Sequence, residues 1–237
     1  MWDRNVQDPP QEVASGHYRT SGNPYCVKLQ EFPGLVYSDD QTEVHRGSWR
    51  NEFQASDYAS LHVEIGCNAG HVIFPWAQAH PDRLYLGLDW KFKPIFRAAQ
   101  KVSERGLSNL RFLRAHACHL DAIFAPSEID RLFLFFPDPW SKRAQQKNRL
   151  VTQPYLETLA TLLKPQGVLH IKTDHGHYFE SIVQKINPLT WSVLEYSENL
   201  YANHPHPETL QMPEVTLFER LFIQKKIPIR NLKLMKI

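Results

Sequence analysis

The segment Leu134-Phe135-Phe136-Pro137-Asp138-Pro139-Trp140-Ser141-Lys142 reads as an apolar strand that ends in a carboxylate held between two prolines. Each proline ring fixes its own φ and restricts the residue before it, so Asp138 is expected in a stiff loop at the carboxyl end of a strand. An indole follows, then Lys142, Arg143, Lys147 and Arg149. A rigid acid, an aromatic face and a run of bases suit a site that handles a cationic small molecule together with a polyanion.

A second constellation precedes it. Val63-Glu64-Ile65-Gly66-Cys67-Asn68-Ala69-Gly70 has the form of a strand and a glycine turn, in which Gly66 and Gly70 allow a tight bend and close approach of a ligand. The helix expected next would offer free N–H groups at its start. Asp89 ends the run Leu86-Gly87-Leu88-Asp89, 19 residues after Gly70, where a carboxylate can accept both hydroxyls of a ribose. Glu64 then helps choose the nucleoside cofactor. A pyrophosphate against this turn would be repelled by it, whereas S-adenosylmethionine brings an ammonium, a sulfonium and a ribose diol, all favoured by acids at successive strand ends. Asp138 would face the methionine portion and the transferable methyl.

These acids need a frame that brings strand ends together. From Leu61 onward apolar runs at 61–65, 84–88, 110–113, 132–136 and 168–171 alternate with stretches of helical period, such as Ile95, Ala98, Ala99, Val102 and Tyr155, Leu156, Leu159, Leu162, Leu163. Strands separated by helices imply a mostly parallel sheet with right-handed crossovers, an α/β doubly wound, Rossmann-like architecture. Residues 216–223 read as one further, antiparallel strand. Residues 23–60 are expected to wrap the core as part of a single domain, 23–237, and residues 1–22 to be a mobile N-terminal segment.

Composition narrows the class. The chain has 237 residues, 42% hydrophobic and 22% charged, enough for one α/β core. No apolar run is long enough to span a bilayer and the start lacks a secretory signal, so a cytoplasmic protein with no membrane association is expected. Cys26, Cys67 and Cys118 are widely spaced and expected to be reduced, with Cys67 a small filler beside the glycines. No ligand spacing predicts a metal, and His170, His175 and His177 are expected to be exposed or hydrogen-bonded. The net charge of +2 argues nothing about nucleic acid; the local basic runs at 141–149 and after Glu219 do, although a solvated basic tail is the commoner meaning of the second.

Taken together, Glu64-Ile65-Gly66-Cys67-Asn68-Ala69-Gly70, Gly87-Leu88-Asp89, Phe136-Pro137-Asp138-Pro139-Trp140-Ser141-Lys142, Lys172-Thr173-Asp174 and Thr216-Leu217-Phe218-Glu219 resemble, in order and spacing, the tRNA (guanine-N7)-methyltransferases. The likeness runs from about Leu61 to Ile223. It implies the seven-stranded sheet of class I S-adenosylmethionine-dependent methyltransferases. It also implies a cofactor pocket of Glu64, Gly66, Gly70, Asp89, His116 and Asp138, and a tRNA guanosine met by Lys142, Asp174, Thr216 and Glu219. The family modifies guanine 46 in the variable loop, as a monomer or homodimer.

Three positions depart from the family pattern: Asn68 stands for a glycine, His116 for an aspartate that reads adenine, and Arg143-Ala144-Gln145-Gln146-Lys147-Asn148-Arg149 is a thinned basic run. Asparagine tolerates the left-handed backbone such a turn asks for, and an imidazole can donate or accept but brings no carboxylate. The chemistry itself needs no base, because guanine N7 carries a lone pair and no proton; positioning and a carboxylate such as Asp138 beside the developing cation carry catalysis. Two other readings stay open: a catalytically silent RNA-binding paralogue, favoured by His116 and the thinned basic run, and a small-molecule methyltransferase of the same fold, against which Thr216-Leu217-Phe218-Glu219 speaks.

Overall fold

The computed structural model describes residues 23–56, 59–204, 206–207, 210 and 215–237. The segment 1–22 read above as mobile lies outside the described residues.

The sheet is built as the apolar runs predict, with additions at both ends. Its strands are β1 (Val36–Ser38), β2 (Leu61–Ile65), β3 (Leu84–Asp89), β4 (Leu110–Arg114), β5 (Ile129–Phe135), β6 (Leu163–Thr173), β7 (Trp191–Ser197) and β8 (Arg230–Lys236), in the spatial order β1-β4-β3-β2-β5-β6-β8-β7. All neighbours from β1 through β6 pair in parallel, and β8 runs antiparallel between β6 and β7. After the edge strand β1, the chain enters the middle of the sheet at β2, builds outward through β3 and β4, then returns to add β5 and β6 on the other side. That reversal puts a crevice at the carboxyl ends of β2 and β5, where ligands bind in open sheets.

Period-two alternation divides the strands between two apolar clusters: Leu84, Leu86 and Leu88 of β3 face one, Tyr85 the other. Helices cover both. α4 (Ile73–Ala79) and α5 (Phe92–Arg105) follow β2 and β3, and α5 buries Ile95, Ala98, Ala99 and Val102 as its period requires, stopping where Gly106 takes φ 64°. α7 (Gln153–Leu162) and α8 (Gly176–Val183) flank β6. The shorter helices are α1 (Pro24–Lys28), α2 (Asp40–Val44), α3 (Trp49–Glu52) and α6 (Leu120–Ile123), and α9 (Leu217–Gln224) is described below.

Four expectations change. The sheet has eight strands, because β1 adds a parallel edge beside β4. Residues 23–60 do more than wrap the core: Trp49 is fully buried with Nε1 donating to the Ile123 carbonyl, and Glu128 accepts the backbone N–H groups of Gly47, Trp49 and Ala125. Residues 216–223 form a helix and not a strand. Thr216 and Glu219 make a capping box, the hydroxyl accepting from Glu219 N–H while the carboxylate accepts from Thr216 N–H, and this nucleates α9. The basic end is no solvated tail but strand β8, whose Lys233 pairs with Glu195 at 2.6 Å and whose Lys236 donates to the Leu163 carbonyl.

Candidate active site

The carboxyl ends of β2, β3, β4, β5 and β6 carry in turn Glu64, Asp89, His116, Asp138 and Asp174, each at or just past a parallel strand. The register that aligns Ile65 with Leu88 and Leu134, Asp89 with Arg114, and Phe135 with Lys172 brings these tips into one row.

Glu64 is the most unusual group in that row. It is 3% exposed, and its Oε2 is buried without a hydrogen-bond partner. Burial, with the charge of Asp89 adding, pushes its pKa up to about 8, against one favourable contact from the Ile73 backbone. A buried carboxyl group with an unpaired oxygen is costly, so it marks a place where a partner is expected. Gly66, next along, has φ +80°, and a Cβ built on it would meet nothing within 4 Å, so the space before the turn is open.

The turn itself is braced from below. Asn68 takes φ 49°, the left-handed backbone its place in the motif demands, and its Oδ1 accepts from Ala69 N–H at 2.7 Å. Its own N–H donates to Asp89 Oδ2 at 3.0 Å, while Asp89 Oδ1 accepts from Lys91 N–H at 2.9 Å. Burial still raises the Asp89 pKa, and the nearby charge of Asp138 adds to it. Gly70 has a packing role instead: its Cβ would lie 3.4 Å from the Phe112 ring and 3.5 Å from Ala98. Cys67 is buried and its thiol is pushed well up by desolvation, an inert filler.

The loop after β5 is held in two left-handed residues, Phe136 at φ 52° and Trp140 at φ 45°, with Asp138 exposed between them. Non-glycine residues stay there only when their surroundings impose it. Phe136 N–H donates to the Lys172 carbonyl, Arg149 Nε donates to the Pro139 carbonyl at 2.8 Å, and the Phe136 ring packs on Phe218 and Phe222 of α9. Arg149 therefore serves the loop and lies over the Tyr178 ring, leaving Lys142, Arg143 and Lys147 exposed.

His116 caps the turn after β4, its Nδ1 accepting from Cys118 N–H, and burial followed by His119 and Arg114 lowers its pKa. The imidazole at this tip is neutral near pH 7. Asp174 is half-buried, its carbonyl accepting from Arg230 at 2.9 Å. Thr216 and Glu219, in contrast, do not stand open. Glu219 is fully buried; it accepts from Lys172 Nζ at 2.6 Å, from Tyr201 Oη at 2.7 Å and from Thr216 N–H at 2.7 Å. Lys172 and Tyr201 are the site-shaping residues that sequence reasoning missed; the alternation of β6 could have flagged Lys172 as a base facing inward. Of the histidines near Asp174, His170 bonds Asn231 at 2.6 Å and His175 accepts from Tyr178 N–H.

The sheet order, the glycine turn below an acid-lined crevice and the rigid acid loop define a methyltransferase of the Rossmann-like kind. Known structures agree on the fold: the aminoglycoside resistance methyltransferase NpmB1 superposes with a TM-score of 0.57 at 20% identity, over 81% of this chain and 98% of that one. A 30S ribosomal A1408 methyltransferase from an uncultured bacterium superposes with a TM-score of 0.53 at 15% identity, over 81% and 93%. The family model described as "Putative methyltransferase" matches residues 58–232. The tRNA (guanine-N(7)-)-methyltransferase of Bdellovibrio bacteriovorus is 30% identical over 208 residues, 87% of this chain and 98% of that protein, and that of Geobacillus kaustophilus is 37% identical over 153 residues, 65% and 69%. The chain also matches, at 30% identity, a bifunctional glycosyltransferase/methyltransferase of Fusobacterium nucleatum, of which it spans 31%. The chain belongs to the tRNA (guanine-N(7)-)-methyltransferase family.

Proposed function

We propose that residues 23–237 act as one domain that transfers the methyl group of S-adenosylmethionine to N7 of a guanine in tRNA, with position 46 of the variable loop as the target. The observation that carries this is the row of acids on successive strand tips, with Glu64 buried and one oxygen unpaired above an open glycine turn. Those residues fit the cofactor: Glu64 supplies an acceptor for its cationic end, Gly66 leaves room for close backbone approach, and Asp89 anchors the turn while offering carboxylate lone pairs to a ribose diol. When bound, S-adenosylmethionine supplies a methyl carbon made electrophilic by its sulfonium.

The protein's own work is orientation and charge. A ring nitrogen with an in-plane lone pair needs no base, so holding it in line supplies much of the rate, on the order of 7–11 kcal/mol in favourable cases. Asp138, in a loop held by its prolines and by the two left-handed residues around it, is the carboxylate we assign to stabilise the positive charge that moves onto the purine; the rigidity of that loop supports the assignment. His116, neutral, donates or accepts at the adenine edge, Lys142 meets a phosphate, and Asp174 orients the base. Thr216 and Glu219 act by holding α9 and Lys172 in place. The free thiols of Cys26, Cys67 and Cys118 suit a reducing compartment, and we place the protein in the cytoplasm, as a monomer or homodimer. No helix of the described residues is long and apolar enough to cross a membrane.

The test is transfer of label from methyl-labelled S-adenosylmethionine into tRNA by the purified protein. Asp138→Ala should lower the rate on the order of 10²-fold or more while the protein stays folded. Label found only in protein or small molecules would defeat the reading.

A further inference from the structure

A cluster of cations lies away from the acidic crevice, and the reading above gives it no role. A cleft of about 230 Å³ between α4, α5 and α9 is lined by His71, Phe74, Pro75, Lys101, Leu217 and Arg220. Three of these six can carry positive charge and none is an acid. The Arg220 Nε is buried and has no hydrogen-bond partner, the kind of unpaired donor that folded proteins rarely leave. Lys101 Nζ stands 5.3 Å over the Phe74 ring and has its pKa lowered by burial; burial and then Lys101 lower that of His71. Lys101 and Arg220, with the imidazole of His71 beside them, are thus gathered against apolar walls, and among the described residues the cleft is lined by no acid; an anion there would be held more strongly than in open water.

Position says which anion. His71 follows Gly70 directly, and Leu217 and Arg220, three residues apart, share a face of α9, whose Thr216 and Glu219 point inward. The same helix rests on Phe136 of the Asp138 loop, so it bridges that loop and the glycine turn. Some of the bases that the sequence offered for gripping RNA are meanwhile engaged, Arg149 on the Pro139 carbonyl, Arg230 on the Asp174 carbonyl and Lys233 on Glu195, while Lys142, Arg143 and Lys147 stay exposed beyond the Asp138 loop.

We propose that the His71, Lys101 and Arg220 cleft binds a phosphodiester of the RNA substrate, fixing the strand on the outer side of α9 while one nucleoside enters the acidic crevice. This rests on the function proposed above. Arg220 supplies the planar donor fork that matches phosphate oxygens, and Lys101 the second charge.

The experiment measures tRNA binding by the full chain over a salt series, for the wild type, Arg220→Gln, Arg220→Lys and the Lys101→Gln/Arg220→Gln pair, with S-adenosylmethionine affinity and thermal unfolding alongside. The double variant should bind tRNA about 10-fold more weakly, with the slope of log K against log salt shallower by about one, and should keep its cofactor affinity. Arg220→Lys, which retains charge, should keep the wild-type slope and lose only part of the affinity. Wild-type tRNA affinity and slope in the double variant would overturn the proposal while leaving the methyltransferase reading intact. So would competition by inorganic phosphate for these cations without any effect on tRNA, which would make this a free-anion site. A wild type that neither binds nor methylates tRNA would sink both.

Discussion

At the scale of single residues, Glu64 has a consequence that pH exposes. Its folded pKa, about 8, lies above the ordinary 4.5, so between those values the folded chain keeps a proton that the unfolded chain releases. The contribution is therefore full below about pH 4.5 and lost as pH rises through about 8. Denaturant unfolding of the ligand-free protein at a series of pH values should show stability falling more steeply between about pH 4.5 and pH 8 for the wild type than for Glu64→Gln; superimposable profiles would contradict the burial argument. Two glycines separate packing from ligand space in the same way. Gly87→Ala puts a methyl 2.9 Å from Cys67 Sγ and 3.0 Å from the Phe112 ring, and should cost about 1–3 kcal/mol of stability with little specific loss of cofactor binding. Gly66→Ala clashes with nothing within 4 Å but sits at φ +80°; it should cost ~1–2 kcal/mol in strain and chiefly weaken the cofactor, as calorimetric titration would show.

At the scale of elements, α9 and β6 are joined by the buried pair Lys172 to Glu219, at 2.6 Å with both side chains under a tenth exposed. Removing one partner leaves the other charge buried, so Lys172→Met should destabilise the protein by about 3–5 kcal/mol, while Thr216→Ala, which removes only a cap, should cost about 1 kcal/mol by the same denaturant assay. Equal effects would mean that the pair is not what holds the helix. This region is also where the sequence was hardest to read. Thr216 to Ile223 alternates poorly and is rich in Leu, Phe and Ile, which suggested a strand; the Thr-x-x-Glu signature of a helix start was present and decides the matter. The opposite error hid β8, where lysines at 233 and 236 drew attention from Leu232 and Leu234 on either side of Lys233, both fully buried. A strand whose exposed face carries Lys and whose inner face carries Leu looks, in composition alone, like a basic tail.

At the scale of the whole molecule, the central parallel strands were legible because each is a buried apolar run ended by a turn signal, and the acids at their tips were legible for the same reason. The edge strand β1 was not, since three residues carry no period, and its pairing with β4, next to the ion pair of Asp39 with Arg114, joins segments far apart in sequence. Nor could one-dimensional spacing show that Arg149, Arg230 and Lys233 are turned to internal partners while His71, Lys101 and Arg220 converge. What the assembled molecule presents is a row of acids at the sheet's switch point, beside the loop of Asp138 on which α9 packs. The most direct test of that account is to incubate unmodified tRNA with the protein and S-adenosylmethionine, then cleave the product with chemistry selective for N7-methylated guanine and map the breaks. Scission at a single variable-loop guanine is the predicted result. Methyl incorporation without scission, placing the group on another atom, would contradict it.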